Sequence, residues 1–337
     1  MKKVAVIILN WNGASLLREY LPEVIANTDS EIGRVIVADN GSTDDSLKVL
    51  AEEFPEVETI IFDKNYGFAE GYNRAIAMVE EEYVVLLNSD VAPARGWLID
   101  LYNFMEAHPE AGGCQPKLLS RVEPDKFEYA GSAGGFIDRN GYPYCRGRIF
   151  GSCERDNGQY DSPMVVDWAS GAAMMVRRRL YLEAGGLDTR FFAHMEEIDL
   201  CWRIRLMGFS LWCVPSATVY HLGGGSLPPS NPLKTYLNFR NNLLMLHKNL
   251  PDSSRRSTLL RRRLLDTIAW ANFVATFRWA SAAAIIRAHR DFARMRRDYP
   301  TLASAEDIIA GRPNILSQYY LRGRKKWSDI PKHKSKK

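Results

Sequence analysis

The stretch "VVLLNSDV", residues 84–91, is an apolar run that ends abruptly in three polar residues. Asn88, Ser89 and Asp90 place an amide, a hydroxyl and a carboxylate directly after a predicted strand. Two interpretations are open from this stretch alone. The residues form a polar turn where the chain leaves a sheet, or they bind something at the edge of that sheet.

Short apolar runs of the same kind recur through the first 90 residues. They are "VAVIIL" (4–9), "VIVA" (35–38), "TIIF" (59–62) and "YVVLL" (83–87). They are rich in Val and Ile and do not alternate with polar residues, which indicates strands buried on both faces of a parallel sheet. Helical patterns lie between them, at about residues 14–27, 43–54 and 68–81. The sequence therefore predicts a doubly wound α/β fold with a mostly parallel central sheet.

Polar clusters follow all four predicted strands: "NWNG", "DNGSTDD", "DKNYG" and "NSD". In such sheets ligands bind at the carboxyl ends of the strands, so the binding interpretation of residues 88–90 is favoured. The loop after the first strand, "NWNGAS", lacks the GxGxxG pattern of dinucleotide-binding proteins, and no Walker phosphate loop is present. If a diphosphate binds here, a metal ion is the natural counter-charge.

Composition excludes several other classes of protein. The chain has 337 residues, of which 46% are hydrophobic, and this is enough for a large folded core. Five cysteines form no CxxC pair, which argues against a disulfide framework or a zinc site. The N-terminal apolar run 4–9 is followed by Asn10 and is predicted to be a strand, not a targeting segment. No run reaches the roughly 18 apolar residues of a membrane-spanning helix.

The segment "FFAHMEEIDLCWRIRLMG", residues 191–208, predicts a helix that begins at Met195 or Glu196. Its buried side is expected to carry Leu200, Ile204 and Met207. Acidic residues in a first helical turn are stabilised by the helix dipole, and Asp199 can pair with Arg203 four residues later. These effects explain part of the acidic cluster, but they assign no partner to Glu197.

In this order, "VIILNWNG", "VADNGSTDDS", "NYGFAEGYNRA", "LLNSDV" and "FFAHMEEIDLCWR" resemble glycosyltransferase family 2, in particular its bacterial rhamnosyltransferase-like members. The resemblance covers roughly residues 3–250. It implies the GT-A fold of nucleotide-diphospho-sugar transferases. It also implies transfer of a sugar from a nucleoside-diphosphate donor with inversion at the anomeric carbon, assisted by Mg²⁺ or Mn²⁺.

The resemblance also implies roles for individual residues on the donor side. Asp39 matches an aspartate that contacts the base or ribose, although it is also suited to a turn. Asn65, Gly67 and Asn73 match the loop that closes over the nucleoside, although the two amides could serve only the loop backbone. Residues 88–90 stand at the DxD motif of the family. The candidate donor-binding residues are Asn10, Asn12, Asp39, Asn65, Gly67, Asn73, Asn88 and Ser89.

The remaining candidates concern the metal, the base and the acceptor. Because Asn88 replaces the first acid of the DxD motif, Asp90 is the only carboxylate that this motif offers to a metal. Glu197 stands at the position of the catalytic base, where Asp is usual, and Glu196 is the alternative. His221 matches a further metal or diphosphate contact, or is an ordinary buried histidine. Trp168 and Gly171 are expected at the acceptor site, or else in a plain core strand with a bulge.

Charge divides the chain into two parts. Residues 1–254 contain 24 Lys and Arg against 34 Asp and Glu, whereas residues 255–337 contain 20 against 6. We expect a catalytic domain over 1–250, with a nucleotide-binding half over 1–92 and an acceptor half over 93–250. A basic amphipathic helical extension is expected over 251–300, and a partly disordered basic tail over 301–337.

The basic extension contains 11 arginines between residues 255 and 297, separated by large aliphatic and aromatic residues. This pattern suits an anionic membrane surface better than nucleic acid. Packing of the helices on the catalytic domain, with solvated arginines, is the alternative. We therefore expect a cytoplasmic protein that lies peripherally at the inner face of the cell membrane.

The sequence thus predicts an inverting glycosyltransferase of cell-surface polysaccharide synthesis. Its expected partners are a dTDP- or UDP-linked sugar donor and a glycan or lipid-linked acceptor. A nucleotidyltransferase is the first alternative, but the loop after the first strand has no arginine. A non-catalytic glycan- or nucleotide-binding module is the second, and the retention of Asp90 and of the acids around Glu197 argues against it.

Overall fold

The computed structural model describes residues 2–223, 231–301 and 306–331. The strands within these residues are β1 Val4–Asn10, β2 Gly33–Asp39, β3 Glu58–Ile61, β4 Tyr83–Leu87, β5 Val91–Pro93, β6 Ala111–Ser120, β7 Gly135–Ile137, β8 Pro143–Cys145, β9 Arg148–Ile149, β10 Ser152–Cys153, β11 Met164–Val166, β12 Ala173–Arg177 and β13 Ser210–His221. The α-helices are α1 Ala14–Asn27, α2 Ser46–Glu53, α3 Gly67–Ala77, α4 Trp97–Ala107, α5 Arg178–Glu183, α6 Glu196–Leu206, α7 Pro232–Asn249, α8 Asp252–Ala275 and α9 Trp279–Met295. The predicted strands and helices of the first 90 residues are confirmed to within a few residues at each end.

A large mixed sheet organises the molecule, in the strand order β11-β13-β6-β12-β4-β1-β2-β3, with β5 paired to β13. Strands β1 to β4 pair in parallel with one another, as the unbroken apolar runs predict. Strand β12 enters antiparallel between β4 and β6. A small antiparallel sheet of β7 to β10 lies apart from it.

Both faces of the large sheet are covered by other parts of the protein. This explains why apolar and polar residues do not alternate along its strands. In β1, the side chains of Ala5 and Ile7 pack into one apolar core, and those of Val4, Val6 and Ile8 pack into the other. Burial of successive residues on opposite faces leaves no solvent-facing position in such a strand. Polar residues are therefore confined to the strand ends, where the candidate site lies.

Helix α6 begins at Glu196, as the sequence predicts. Asp199 is fully buried and pairs with Arg203 at 2.8 Å and with Lys248 at 2.9 Å. Met207 was expected on the buried side, but it caps the helix after its last turn and is 38% exposed. That expectation is wrong because the helix ends before its buried face reaches this position.

The C-terminal part consists of α8 and α9, joined by a short turn, and of a tail that returns to the catalytic domain. Residues 306–331 are packed where disorder was expected. Arg312 donates to the buried Asp167 at 2.6 Å, and the Trp327 ring lies 5.6 Å from two aromatic rings of the domain. Residues 332–337 lie outside the described residues. No helix in the described part of the chain is long and apolar enough to cross a membrane.

Candidate active site

The polar clusters that follow β1 and β2 meet because these strands are neighbours, with Asn10 opposite Asp39. The Asn10 amide donates to Asp39 at 2.9 Å and to Ser42 at 3.2 Å. The second Asp39 oxygen accepts the Ser42 backbone N–H at 2.9 Å. Asp39 is fully buried, so its carboxylate holds this loop together instead of facing solvent. The Asn10 side-chain oxygen, Oδ1, is buried without a hydrogen-bond partner in the described structure.

Asn12 closes the adjoining loop. Its backbone is left-handed, with φ +50°, and its side-chain oxygen accepts the Thr43 backbone N–H at 2.7 Å. Its own N–H donates to Ser42 at 2.9 Å. Neighbouring Trp11 is 55% exposed at the mouth of this crevice. Asn12 therefore fixes the backbone of the loops that follow β1 and β2.

A second amide pair joins β2 to the start of α3. The Asn40 amide donates to the Asn65 side chain and to the Gly67 carbonyl, both at 3.0 Å, while its oxygen accepts the Tyr66 N–H at 3.0 Å. Gly67 begins α3 with φ +79°, a conformation that favours glycine. The sequence-based prediction missed Asn40, although it lies inside the quoted "VADNGSTDDS" motif.

Asn73 does not belong to this crevice. Its amide donates to the Leu187 carbonyl at 2.9 Å, and its oxygen accepts the Leu187 N–H at 2.9 Å and the Tyr181 hydroxyl at 2.6 Å. All its polar groups are thus used to fasten α3 to the loop before α6. The expectation that Asn73 binds the nucleoside is wrong for this conformation, because the side chain faces a backbone segment 114 residues away.

Asn88, Ser89 and Asp90 leave the buried β4 as partly exposed residues and meet the end of β13. His221 Nε2 lies 3.1 Å from Asp90 Oδ1 and 3.4 Å from the Asn88 amide. Burial by itself would raise the pKa of Asp90, but the hydrogen bond and charge of His221 lower it below its usual value. Asp90 is therefore held as an anion.

His221 is itself buried between two carboxylates. Glu128 Oε1 lies 3.5 Å from its Nδ1, on the side away from Asp90. Burial opposes the charged imidazole, but the two carboxylates raise the pKa of His221 to about 10. Glu128 was missed at the sequence level, because a single acid in "KFEYAG" carries no periodic or motif signal.

These residues fit a divalent cation only together with a phosphate ligand. The described residues contain no group of three or more His, Cys, Asp or Glu side chains placed to hold a metal. Asp90 offers one carboxylate, and Mg²⁺ commonly takes one or two protein carboxylates when phosphates supply other ligands. His221 contacts Asp90 and is therefore placed for either of its two predicted roles, a further metal ligand or a diphosphate contact.

Glu196 and Glu197 begin α6, and they differ in exposure. Glu196 is 5% exposed, whereas Glu197 is partly exposed, and each has one buried oxygen without a partner among the described residues. Burial raises the pKa of Glu196 well above its usual value, and the charge of Glu197 raises it further. Burial also raises the pKa of Glu197, against backbone hydrogen bonds that lower it. Both carboxyl groups therefore hold a proton more readily than a free glutamate, and the charge of Glu197 opposes ionisation of Glu196.

The turn before these acids is strained and held from outside. His194 and Met195 have φ of +68° and +75°, which non-glycine residues seldom adopt. In α7, the buried Asn241 donates to the carbonyls of Phe191, Ala193 and His194 at 2.8 to 2.9 Å. The polar run "RNN" inside an apolar helix was the available sequence signal for this support.

Gly171 brings the acidic pair to the same sheet edge as Asp90. The Asn88 N–H donates to the carbonyl of Ala172 at 3.0 Å, where β12 joins β4. A Cβ atom on Gly171 would lie 3.5 Å from the Cβ of Glu197 and 3.9 Å from the ring of Phe68. The metal motif, the candidate base and the start of α3 therefore converge on this glycine.

Trp168, in contrast, does not line the acceptor site. It is 3% exposed, its indole N–H donates to the Phe136 carbonyl at 3.1 Å, and its ring covers Gly135 so closely that a Cβ there would lie 2.0 Å away. The expectation of an acceptor-facing tryptophan is wrong, because the ring fills the space that this glycine leaves.

The sequence of this chain is similar to the sequences of known glycosyltransferases. The family model for glycosyl transferase family 2 matches residues 5–158. An N-acetylglucosaminyl-diphospho-decaprenol L-rhamnosyltransferase of Mycobacterium tuberculosis is 27% identical over 234 residues, which are 64% of this chain and 75% of that protein. Rhamnosyltransferase WbbL of Escherichia coli is 27% identical over 237 residues, 65% of this chain and 83% of that protein.

Solved structures confirm the fold. GalNAc-T7 with UDP, GalNAc and Mn²⁺ superposes with a TM-score of 0.57 at 15% identity, covering 75% of this chain and 49% of that one. Mannosyltransferase PcManGT from Pyrobaculum calidifontis, in complex with GDP-Man and Mn²⁺, superposes with a TM-score of 0.53 at 16% identity. The match covers 86% of this chain and 87% of that one. The predicted GT-A fold is thus confirmed.

Proposed function

We propose that the chain is a member of glycosyltransferase family 2, whose model matches residues 5–158, and that it moves a sugar from a nucleoside-diphosphate donor to an acceptor hydroxyl group with inversion at the anomeric carbon. It is a glycosyltransferase similar to bacterial rhamnosyltransferases. The observation that carries the finer proposal is the pair of opposed carboxylates at one sheet edge. Asp90 is paired with His221, and Glu197 has an oxygen without a partner in the described structure.

Asp90 would hold a divalent metal, Mg²⁺ or Mn²⁺, together with the donor diphosphate. Such a cation acts as a Lewis acid that stabilises negative charge on the leaving diphosphate. His221 would keep Asp90 ionised and in place through the contact between its Nε2 and Asp90 Oδ1. Asn88 and Ser89 are close enough along the chain to contact the same diphosphate. Both structural neighbours are complexes with Mn²⁺, which supports this assignment.

Glu197 would accept the proton of the acceptor hydroxyl. The acceptor oxygen forms its bond to the anomeric carbon while the bond from that carbon to the diphosphate oxygen breaks. The diphosphate leaves with the electron pair, and the proton passes to the Glu197 carboxylate. Glu197 suits this role better than Glu196, because it is the more exposed of the two. No covalent enzyme intermediate is required.

The donor crevice would hold the nucleoside between the loops after β1, β2 and β3. Asn12, Asn40 and Asn65 fix the backbone of these loops, and Asp39 anchors them from within. The names of the bacterial relatives support rhamnose as the sugar, and the name of the mycobacterial one supports a lipid-diphosphate-linked acceptor. A dTDP or UDP carrier and a place in cell-surface polysaccharide synthesis are part of the proposal.

The charge distribution supports a location at the inner face of the cell membrane. The part up to residue 254 is acidic, and the part beyond it is strongly basic. An anionic leaflet attracts juxtaposed basic residues by about 1 kcal/mol each before screening. A peripheral position would bring the enzyme to a lipid-linked acceptor without a spanning helix.

Transfer assays with the full-length protein test this proposal. dTDP-rhamnose and UDP-sugars are offered with a lipid-diphosphate-linked N-acetylglucosamine acceptor, with Mn²⁺ or with a chelator. We expect a glycosylated, inverted product from at least one donor, and only when metal is present. Product formation in the presence of chelator would contradict the metal assignment. Absence of transfer from every sugar nucleotide would contradict the donor assignment.

A further inference from the structure

Helix α8 has its polar and apolar faces reversed relative to a helix packed in water. Its buried residues are Thr258, Arg262 and Asp266. Leu260, Leu264 and Ile268, four residues apart and therefore on one face, are 63%, 66% and 60% exposed. These three residues are called the α8 stripe below. A water-soluble surface helix normally buries such a stripe, so this one is suited to contact another apolar phase.

A polar network fixes this orientation. Arg262 donates to the Asn242 side chain and pairs with Asp266 at 3.2 Å, and its guanidinium lies 3.9 Å from the centre of the Tyr142 ring. Asp266 also contacts His289 of α9 at 3.0 Å. If α8 rotated to bury the stripe, the buried Arg262 would lose Asn242 and Tyr142, and Asp266 would lose His289. The apolar residues are therefore held outward.

A cavity of about 470 Å³ opens beside the stripe, between α7, α8 and α9. Its apolar lining includes Leu243 and Phe292, and Leu260 belongs to both the cavity and the stripe. Four arginines also line it: Arg256, Arg263, Arg290 and Arg296.

Little negative charge balances these arginines. Arg256 and Arg263 are exposed and have no acidic partner among the described residues. Arg290 has only a 3.6 Å contact with Asp291, and Arg296 lies by the Phe292 ring, 5.7 Å from its centre. Several like charges around one cavity repel one another, and a bound anion relieves that repulsion.

Two further features agree with an interfacial position. The turn between α8 and α9 exposes Phe277 and Trp279, and tryptophan is enriched where protein meets the bilayer surface. Helix α7 connects the cavity to the catalytic centre. Leu243 lines the cavity, and Asn241, two residues earlier, holds the turn before Glu197.

We propose that the arginine-lined cavity binds the phosphodiester headgroup of an anionic bilayer phospholipid, while the α8 stripe lies against its acyl chains. This proposal rests on the membrane location given under the proposed function, and it adds a defined site to a diffuse attraction. The ligand that this surface would recognise is an anionic phosphate group joined to an apolar chain. Nucleic acid offers the phosphate without the chain, and therefore leaves the stripe in water.

Vesicle binding by the full-length protein tests the site, in the absence of donor and acceptor so that catalysis does not enter the result. Phosphatidylcholine vesicles with and without phosphatidylglycerol are compared by co-sedimentation. The double variant Arg256→Gln/Arg263→Gln removes two cavity charges. Arg294→Gln/Arg297→Gln removes two exposed charges that do not line the cavity. Leu264→Gln interrupts the stripe at an exposed position, and thermal melting confirms that each variant is folded.

We expect tight binding only to vesicles that contain phosphatidylglycerol, weakened roughly 30-fold by the cavity variant, since each basic residue at an anionic surface is worth about fivefold. The control variant should weaken it by less than about threefold, and Leu264→Gln should also weaken it. Equal losses in both arginine variants would overturn the site in favour of diffuse attraction.

Other outcomes would overturn the lipid as occupant. Competition by millimolar inorganic phosphate would indicate a simple anion site. Equal binding to neutral vesicles would indicate an apolar contact alone. Concentration-dependent dimers that Leu264→Gln abolishes would indicate a second copy of the chain. Because donor binding at Asp90 is measured separately, failure of the lipid site and failure of the glycosyltransferase assignment are distinguishable.

Discussion

Asp90 and Glu197 lie at the same sheet edge, and their surroundings are opposite. Asp90 has His221 at 3.1 Å, which lowers its pKa against the effect of burial. Glu197 has the buried carboxyl group of Glu196 as its neighbour in the chain and a buried oxygen without a partner in the described chain, and burial raises its pKa.

The difference shows how one residue class supplies two functions. A carboxylate beside a fixed cation stays ionised and suits a metal or a phosphate-bound cation. A carboxylate without such a partner has a higher affinity for a proton and suits a base. The environment, more than the choice between Asp and Glu, assigns the roles.

Replacement of Glu197 by Gln gives the largest expected effect on turnover. The amide keeps the shape of the side chain but cannot accept a proton, so turnover should fall by about 10²–10⁴-fold with donor affinity little changed. Steady-state kinetics and donor titration measure the two quantities. Glu196→Gln is the matched control and should have a small effect, because Glu196 is only 5% exposed and has less access to an acceptor hydroxyl group. A large loss in the control alone would exchange the roles of the two acids.

Acidification should separate donor binding from turnover. The base acts only when unprotonated, so turnover should fall as the pH drops through the raised pKa of Glu197, by about tenfold per pH unit below it. Asp90, with its lowered pKa, remains ionised over that range, and donor binding should persist. Turnover and metal-dependent donor affinity are measured in parallel from neutral to acidic pH. If both decline together, the two carboxylates are not tuned in opposite directions.

Gly171→Ala should give the smallest effect. The added methyl group would make ordinary contacts with Glu197 and Phe68, so the melting temperature should not change. The methyl group would narrow the space beside the base and raise the KM for the acceptor by up to about tenfold. Gly151→Ala is the matched control, since a Cβ there meets nothing within 4 Å. An unchanged KM would place the acceptor elsewhere.

The first half of the fold was predictable because its signals are local. Unbroken Val and Ile runs indicate parallel strands, and the polar residues after them must share an edge, as Asn10 and Asp39 do. The partners of Asn73 and Trp168 were not predictable, because Leu187 and Gly135 are brought to them only by the tertiary fold.

The orientation of helix α8 also depends on partners that only the tertiary fold brings to it. The spacing of its leucines shows which residues share a face, but the direction of that face depends on where Arg262 finds its partners. Those partners include Asn242 and Tyr142, which are distant in sequence. Periodicity therefore predicted the helix but could not decide between an apolar face directed at a membrane and one packed on the catalytic domain.

Calorimetric titration of a nucleoside diphosphate with Mn²⁺ into the wild type, Asp90→Ala and Glu197→Gln tests the division of roles most directly. We predict that Asp90→Ala loses metal-dependent binding while its melting curve shows an intact fold, and that Glu197→Gln binds like the wild type. Unchanged affinity in Asp90→Ala, or an equal loss in Glu197→Gln, would contradict the assignment of Asp90 to the donor metal and of Glu197 to the proton.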